Sequence, residues 1–290
     1  MTETRAAGLG SLLTRPALDE PHVRIRPDGR QLVIDRGSRP TSDDGEDDTS
    51  GTDTVTDETR TDTSTRERIT GFSDASRRRL RKTVHSLRRD ASCLFITLTY
   101  HEHTPTPEEA KRDLDVFFKR LRRRFSGLSG IWKMEPQQRG TPHYHILLYG
   151  VRWLDAQWLS QLWHDVTAET SEQHRVSGVD TEWVRDDGKL QVYLAKYMSK
   201  STEEWPTEQM PDDLADAWRY PGRYWAVWHR TSLPVAEWAD WAIYLDHTHA
   251  ASIIADLLEA WQIDLGGIIP PSLTINTRGD PVKMLNDLVG

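Results

Sequence analysis

The stretch IWKMEPQQRGTPHYHILLYG, residues 131–150, decides the fold of the chain around it. Its two apolar ends, 131–135 and 144–149, have the composition of β-strands. Residues 137–140 between them have the composition of a turn, so the two strands are predicted to pair as a hairpin. The apolar run at 146–148 predicts that the second strand lies in the middle of a sheet.

Two histidines lie two residues apart on the second predicted strand. Because side chains alternate between the faces of a strand, His143 and His145 are expected to share one face, with Tyr144 on the other. Glu135, on the neighbouring strand, adds an oxygen donor. Two imidazoles and a carboxylate can hold one divalent ion and leave positions for water or a phosphate oxygen. An H-x-H pair alone is a weak signal, but uncommitted histidines on a buried strand are costly, which favours the metal interpretation.

A second motif, VYLAKYMSK at 192–200, lies in a helix predicted over 189–200. Tyr193 and Tyr197 are four residues apart and share a helix face, and Lys196 and Lys200 lie beside them. A tyrosine hydroxyl, with a pKa of about 10, is a poor nucleophile at neutral pH unless a nearby cation assists it. The alternative is an ordinary amphipathic helix with packed tyrosines, and the motif alone does not separate the two.

The elements around these motifs indicate the fold class. The pattern predicts helices over 73–90, 107–125 and 154–167, strands over 93–100, 176–184 and 224–228, a hairpin at 22–34, and two helices within 234–262. Alternation in the strand at 93–100 places Thr97 and Thr99 on one face. The order β-α-β-β-α-β-α indicates an α+β fold, an antiparallel sheet with helices mainly on one face.

Charge is distributed unevenly along the 290 residues, whose formal net charge is −8. Residues 66–130 carry 16 Lys and Arg against 8 Asp and Glu, whereas 1–65 and 131–290 are both acidic. Phosphate binding depends on a local basic patch rather than on the total. The basic residues form two runs: Arg77, Arg78, Arg79, Arg81 and Lys82, then Arg120, Arg122, Arg123 and Arg124. Such runs are often solvated faces, but two of them beside a candidate phosphodiester site favour backbone contacts.

Composition also divides the chain. Residues 42–66 are almost entirely Asp, Thr, Ser, Gly and Glu, which is typical of disorder. We therefore predict a mostly disordered acidic leader (1–70), a folded domain (71–230) and a helical C-terminal extension (231–290). The single cysteine, Cys93, excludes an intrachain disulfide and a Cys-rich zinc site. With no long apolar run and no signal pattern, we expect a cytoplasmic protein without membrane contact.

Together these motifs resemble the HUH endonuclease superfamily, specifically the rolling-circle replication initiators of phages and small plasmids. A Thr-rich strand, a His-hydrophobic-His strand and a Tyr-x-x-Lys-Tyr helix follow one another in that order. Glu135, the Arg139-Gly-Thr-Pro lead-in and the late GRYWAVW at 222–228 are similar to the replication-associated proteins of bacterial plasmids and filamentous-phage relatives. The resemblance covers roughly 92–230.

The resemblance implies a ferredoxin-like or RNA-recognition-motif-like sheet with the paired histidines on a central strand. Members of the superfamily bind Mg²⁺ or Mn²⁺, which here implies His143, His145 and Glu135 as ligands. A tyrosine attacks the scissile phosphate, leaving a 5′-phosphotyrosyl enzyme and a free 3′-hydroxyl. Tyr193 and Tyr197 together are similar to the two-tyrosine initiators, in which one residue nicks and the other rejoins the strands.

The same interpretation assigns the remaining roles. Lys196 and Lys200 assist at the phosphate, and the partner is single-stranded origin DNA. Because the chain has no G-x-x-x-x-G-K-S/T phosphate loop, unwinding is expected to need a host helicase, with a host polymerase extending the 3′ end. The predicted DNA contacts are Thr97, Thr99, Arg120, Arg123 and Arg139.

Rival functions remain open at this point. A plasmid-mobilisation relaxase and a single-strand transposase of the same superfamily share the paired histidines. From a different class, a non-catalytic RNA-recognition-like protein would bind nucleic acid without a metal, although its glycine-aromatic strand is absent. The other H-x-H pairs are weaker metal candidates: His101 and His103 precede a proline-rich loop, and His247 and His249 lie at a late helix junction.

Overall fold

The structure is a computed structural model, and it describes residues 20–26, 31–37, 68–88, 90–91, 93–184, 198, 205–240, 242–270, 272–277 and 280–289. The strands are β1 His22–Arg26, β2 Gln31–Asp35, β3 Cys93–Thr99, β4 Ser129–Pro136, β5 Pro142–Tyr149, β6 Val179–Val184, β7 Trp225–Trp228, β8 Ile243–Tyr244 and β9 Ser272–Asn276. The α-helices are α1 Asp74–His85, α2 Pro107–Arg124, α3 Ala156–Thr167, α4 Glu172–Ser177, α5 Asp212–Trp218, α6 His247–Ala260 and α7 Pro281–Val289. Short 3₁₀ helices span Thr207–Gln209 and Arg230–Ser232.

A five-stranded antiparallel sheet in the order β6-β3-β5-β4-β7 forms the centre of the molecule. The predicted hairpin is confirmed, with β4 beside β5 and Glu135 opposite His143. β3 lies on the other side of β5, with Thr97 opposite His145. The histidine strand is therefore the middle strand, as its apolar run predicted.

The two faces of this sheet are covered by different helices. Side chains of β3 and β5 on one face, among them Ile96, Tyr144 and Ile146, join a buried core with residues of α2 and α3. On the opposite face, α1 packs through Leu80 and Val84 in a smaller apolar cluster. The helices therefore lie mainly on one face, as predicted, and α1 covers one end of the other.

Local sequence signals explain where the two basic helices begin. Thr106 and Glu109 form a reciprocal capping box at the start of α2, and Pro107 occupies its first turn. Ser73 caps α1 by accepting a hydrogen bond from the backbone of Ser76, as predicted. None of the helices in the described ranges combines the length and the apolar composition that a bilayer crossing requires.

A second, four-stranded sheet joins residues from opposite ends of the chain in the order β8-β1-β2-β9. The predicted hairpin at 22–34 is confirmed as β1 and β2. β8 and β9, which come after residue 231, pair with its outer edges. One face of this sheet buries Ile25, Leu32 and Ile34 in a core with α6 and α7.

The C-terminal prediction was wrong in part, because residues 231–290 contain strands as well as helices. Within 234–262 only one α-helix forms, α6, and residues 243–244 form a strand instead of a second helix. Ile243 pairs with Val23 at the edge of β1, which satisfies backbone groups that a helix would satisfy internally. Tertiary pairing thus overrides a weak helical pattern. The domain bounds at 70 and 231 stay predictions, and the structure adds that strands from the two flanking segments pair.

Candidate active site

Alternation along three neighbouring strands gathers polar side chains at one end of the α1-side face. The cross-strand register forms two rows, Thr99–His143–Glu135 and Thr97–His145–Lys133. Tyr144 points to the opposite face and is completely buried there. The sequence prediction that His143, His145 and Glu135 share a face therefore agrees with the register, as does the placement of Thr97 and Thr99 beside them.

His145 is held by neighbours on each side. Its Nδ1 lies 3.4 Å from the hydroxyl of Thr97, and its Nε2 lies 3.4 Å from a carboxylate oxygen of Glu135. The ring of Phe95 stacks on the imidazole with 5.6 Å between centroids. These contacts orient the ring so that Nε2 faces Glu135, the arrangement by which outer partners orient a metal-binding histidine.

His143 carries an unsatisfied nitrogen. Its ring centroid lies 4.6 Å from that of His145, and its Nδ1 lies 3.5 Å from the side-chain amide of Gln137. Its Nε2 is buried and has no hydrogen-bond partner among the described residues. Burial, together with the neighbouring His145, lowers the pKa of His143 to about 4. At neutral pH the imidazole is therefore uncharged and has a lone pair available.

A buried lysine, Lys133, stands beside the carboxylate. Its side chain is fully buried, and its ammonium donates a hydrogen bond to Glu135. Burial raises the pKa of Glu135, but hydrogen bonding to His145 and the charge of Lys133 outweigh it and lower the pKa to about 2. Glu135 is therefore ionised at neutral pH. The sequence analysis missed Lys133, although the Lys-x-Glu spacing on a strand places both residues on one face.

The donor set matches a divalent metal in type and in orientation. A neutral imidazole with a partnerless buried nitrogen, a second oriented imidazole and an ionised carboxylate are the protonation states that metal binding needs. Within the described ranges, no three His, Cys, Asp or Glu side chains are already arranged around one metal position. Glu135 instead bonds Lys133 and faces His145.

A buried carboxylate, Glu169, organises the loop that follows β3. It accepts backbone hydrogen bonds from His101 at 2.8 Å and from Glu102 at 3.2 Å, and it lies 2.7 Å from Nδ1 of His174. Arg139, a predicted DNA contact, donates to the backbone carbonyls of Tyr100 and His101 in the same loop. In this structure Arg139 therefore links the β4–β5 turn to the end of β3.

We predict that Glu169→Gln lowers stability in a pH-dependent way. Burial raises the pKa of Glu169, but hydrogen bonds from His174 and the backbone of His101 outweigh it, so the pKa lies below its ordinary value of 4.5. The carboxylate thus contributes stability above that pH, which is lost as the pH falls through the folded-state pKa. We expect a loss of about 1–3 kcal/mol in the free energy of unfolding at pH 7. Denaturant unfolding from pH 7 to pH 3 measures it, and the gap from wild type narrows with acid.

Glu172→Gln is the matched control for this prediction. The carboxylate of Glu172 also has a lowered pKa through its hydrogen bonds to Arg175, but both side chains are exposed to solvent. Exposed ion pairs contribute little to stability. A Glu172→Gln effect as large as that of Glu169→Gln, or a gap that stays constant across the pH range, would contradict the prediction.

The other predicted site residues fall into two groups. Arg120 and Arg123 lie on α2, which packs on the face opposite His143 and His145. Tyr193, Lys196, Tyr197 and Lys200 lie outside the described residues. Met198, within the same motif, is described: it is helical and fully buried in the α1-side cluster with Leu147. The roles of all these residues remain predictions.

Comparison with known protein families addresses the same segment of the chain. Residues 93–202 match the family model of replication-associated protein ORF2 and its phage relatives. The matched segment contains the site strands β3, β4 and β5 and also the predicted tyrosine motif. The match supports a replication-initiator family for this segment.

A viral protein is similar over a shorter stretch. "Uncharacterized protein 1" of Halorubrum pleomorphic virus 1 is 32% identical over 84 residues, which is 27% of this chain. The chain spans only 16% of that protein's length. No solved structure matches.

Proposed function

We propose that this protein initiates rolling-circle DNA replication as a metal-dependent nickase, in which a tyrosine of the motif at 193–200 attacks single-stranded origin DNA. The observation that carries the proposal is the shared face of His143, His145 and Glu135, with the buried His143 Nε2 left without a partner among the described residues. Those three residues lie in the segment that matches replication-associated proteins.

The strand order supports a ferredoxin-like assignment for the catalytic domain. The chain order β3-α2-β4-β5-α3-β6 is the βαββαβ pattern, and the spatial order β6-β3-β5-β4 places the two central strands side by side. This arrangement brings Thr97 and His145 together on adjacent strands. The site is therefore built on rigid sheet positions, which suits a reaction that depends on close positioning.

The proposed metal is Mg²⁺ or Mn²⁺, held by His143, His145 and Glu135. When bound, it supplies positive charge that polarises the scissile phosphate. Thr97 and Phe95 orient the imidazole of His145, and Lys133 keeps Glu135 ionised. Lys133 and Thr97 thus act through the ligands, as positioning residues.

The proposed nucleophile is Tyr193 or Tyr197. The phenol oxygen forms a bond to phosphorus, the phosphorus–O3′ bond breaks, and the phenol proton is lost to solvent or a nearby base while the 3′ oxygen gains one. The products are a 5′-phosphotyrosyl protein and a free 3′-hydroxyl, and the second tyrosine reverses the step to rejoin strands. Lys196 and Lys200 favour the phenolate and the phosphate charge. Met198, the chain neighbour of Tyr197, packs in the cluster on the histidine face, which supports placing this motif there.

The experiment is cleavage of labelled single-stranded DNA from the protein's own replicon, with and without divalent metal. We expect cleavage in Mg²⁺ or Mn²⁺, a covalent protein–DNA adduct, and loss of both in EDTA with recovery when Mn²⁺ is added back. Mass spectrometry of the digested adduct is expected to place the nucleotide on Tyr193 or Tyr197. A host helicase and polymerase are the proposed partners that unwind the duplex and extend the 3′ end.

Two results contradict the proposal. Undiminished cleavage in EDTA would remove the metal, and cleavage without any covalent adduct would remove the tyrosine. DNA binding with no cleavage under any metal condition would favour the non-catalytic nucleic-acid-binding function. A relaxase or transposase would instead cleave DNA of a transfer origin or a transposon end in preference to replication-origin DNA.

A further inference from the structure

The solvent side of α1 carries a run of positive charge. Arg78, Arg79, Arg81 and Lys82 are all exposed, and their spacing places them on the side of the helix away from the buried Leu80. The ion pairs among the described residues include Arg77 with Asp74 in this helix. The helix has 12 residues and so extends this charge over about 18 Å.

The second sheet adds two arginines around one aromatic ring. Arg24 and Arg26 both lie over Trp238, with 4.5 Å and 4.2 Å from the guanidinium carbon to the ring centroid. They alternate along β1 and therefore share the face opposite the α6 and α7 core. Burial and, to a smaller extent, the charge of Arg24 lower the pKa of Arg26 to about 10. An anion bound between these two adjacent cations would relieve their repulsion.

These two basic groups adjoin each other. Gln31, opposite Arg26 in the sheet, donates a hydrogen bond of 2.7 Å to the backbone carbonyl of Lys82 in the last turn of α1. Ala236 accepts a hydrogen bond from Arg26, and its own N–H donates to the carbonyl of Ser86 at 2.8 Å. The arginine face of the second sheet therefore abuts the end of α1.

The other end of α1 reaches the candidate active site. Trp225 of β7 donates a hydrogen bond of 2.9 Å to the hydroxyl of Ser76 in the first turn. Trp225 is opposite Lys133, and Lys133 is opposite His145. Two strand spacings separate His145 from Trp225, or roughly 10 Å. α1 thus bridges the active site and the second sheet.

We propose that the exposed basic face of α1, continued by Arg24 and Arg26 at Trp238, is a second DNA-binding surface that holds the sugar-phosphate backbone of the strand leading away from the active site. This inference rests on the proposed nickase function for the DNA that reaches the site. Guanidinium and ammonium groups bind phosphate without regard to base sequence. Trp238 adds an aromatic surface of the kind on which bases or arginines stack. The run on α2 lies on the opposite sheet face and is not part of this surface.

The experiment compares binding of two DNA lengths in EDTA, so that cleavage plays no part. At about 3.4 Å per phosphate along a strand, α1 spans about five phosphates, so a strand of about six nucleotides reaches little beyond the site and one of about 25 covers the whole surface. Fluorescence anisotropy over a salt series measures both. The variants are the triple substitution Arg78→Gln, Arg81→Gln, Lys82→Gln and the double substitution Arg24→Gln, Arg26→Gln.

We expect each variant to weaken binding of the long strand about tenfold or more, and to reduce the slope of log affinity against log salt by about 0.7 for each phosphate that is no longer neutralised. Binding of the short strand is expected to stay within about twofold of wild type, since it reaches little of this surface. The matched control Arg122→Gln, Arg123→Gln removes two exposed arginines from α2, and we expect it to leave long-strand binding unchanged.

The outcomes are distinct. If the α1 triple variant binds the long strand like wild type, or if the α2 control weakens it as much, the proposed surface is wrong. Because the α1 substitutions are all on exposed side chains, that variant tests the idea even if the half-buried Arg24 and Arg26 prove necessary for folding. Cleavage in metal is read separately: length-dependent binding without cleavage overturns the nickase and keeps the surface as a DNA-binding site.

Discussion

Replacing Tyr193 and Tyr197 together with phenylalanine is expected to abolish the covalent protein–DNA adduct. Phenylalanine keeps the ring and removes the only oxygen that can attack phosphorus, so packing is preserved while the nucleophile is lost. Loss of a covalent nucleophile lowers rates by on the order of 10⁴-fold or more in other enzymes. The measurement is the band of labelled DNA that stays bound to the protein in denaturing gels.

The single substitutions and a control tyrosine make this result specific. If one tyrosine nicks and the other rejoins, one single variant loses the adduct and the other keeps it but fails to reseal strands. Tyr220→Phe changes an exposed tyrosine outside the motif and is expected to leave the adduct intact. An adduct that survives the double substitution at wild-type yield rules out both residues as the nucleophile.

Substituting the paired histidines is expected to have the next largest effect. His143→Gln and His145→Gln each remove an imidazole nitrogen from the donor set and keep a polar side chain on the same sheet face. Loss of residues that only orient a ligand lowers metal affinity or activity about 10–100-fold, so loss of a ligand is expected to cost about 100-fold or more in cleavage rate. The readouts are the single-turnover cleavage rate and the Mn²⁺ concentration that gives half of it.

The chain offers a matched control in another H-x-H pair. His247→Gln with His249→Gln changes two exposed histidines in the first turn of α6, and we expect the cleavage rate and the Mn²⁺ requirement to stay at wild-type values. Thr97→Val removes the hydroxyl near His145 Nδ1, and we expect about a tenfold rise in the Mn²⁺ requirement. Equal Mn²⁺ requirements in wild type and in both His143→Gln and His145→Gln would exclude these residues as ligands.

The central part of the fold was predictable because its signals are local. Alternation along β5 placed His143 and His145 on one face and Tyr144 in the core, and the short turn after Pro136 paired β4 with β5. Period-two alternation and turn length are properties of neighbouring residues, so they need no knowledge of the rest of the chain. The same reasoning found α1 and α2 from their caps.

Residues that act through distant contacts were not predictable in this way. Glu169 lies 68 residues from His101, and no local pattern connects them, yet it holds the loop after β3. Arg139 is exposed in a turn and was predicted to contact DNA, but its bonds to the carbonyls of Tyr100 and His101 depend on how the turn and the loop meet. Such contacts join segments far apart in the chain, and only the folded structure specifies them.

The sequence by itself determined the site-bearing hairpin, the face on which the two histidines and Glu135 lie, and the helices on either side of it. The tertiary structure decided that Lys133 and Thr97 surround those donors, that the α2 arginines lie on the opposite face, and that the leader hairpin joins β8 and β9 in a second sheet. The physical reason is range: side-chain periodicity is encoded between neighbours, whereas the pairing of a strand edge with a segment more than 200 residues away depends on which surfaces remain to be covered once the chain has folded.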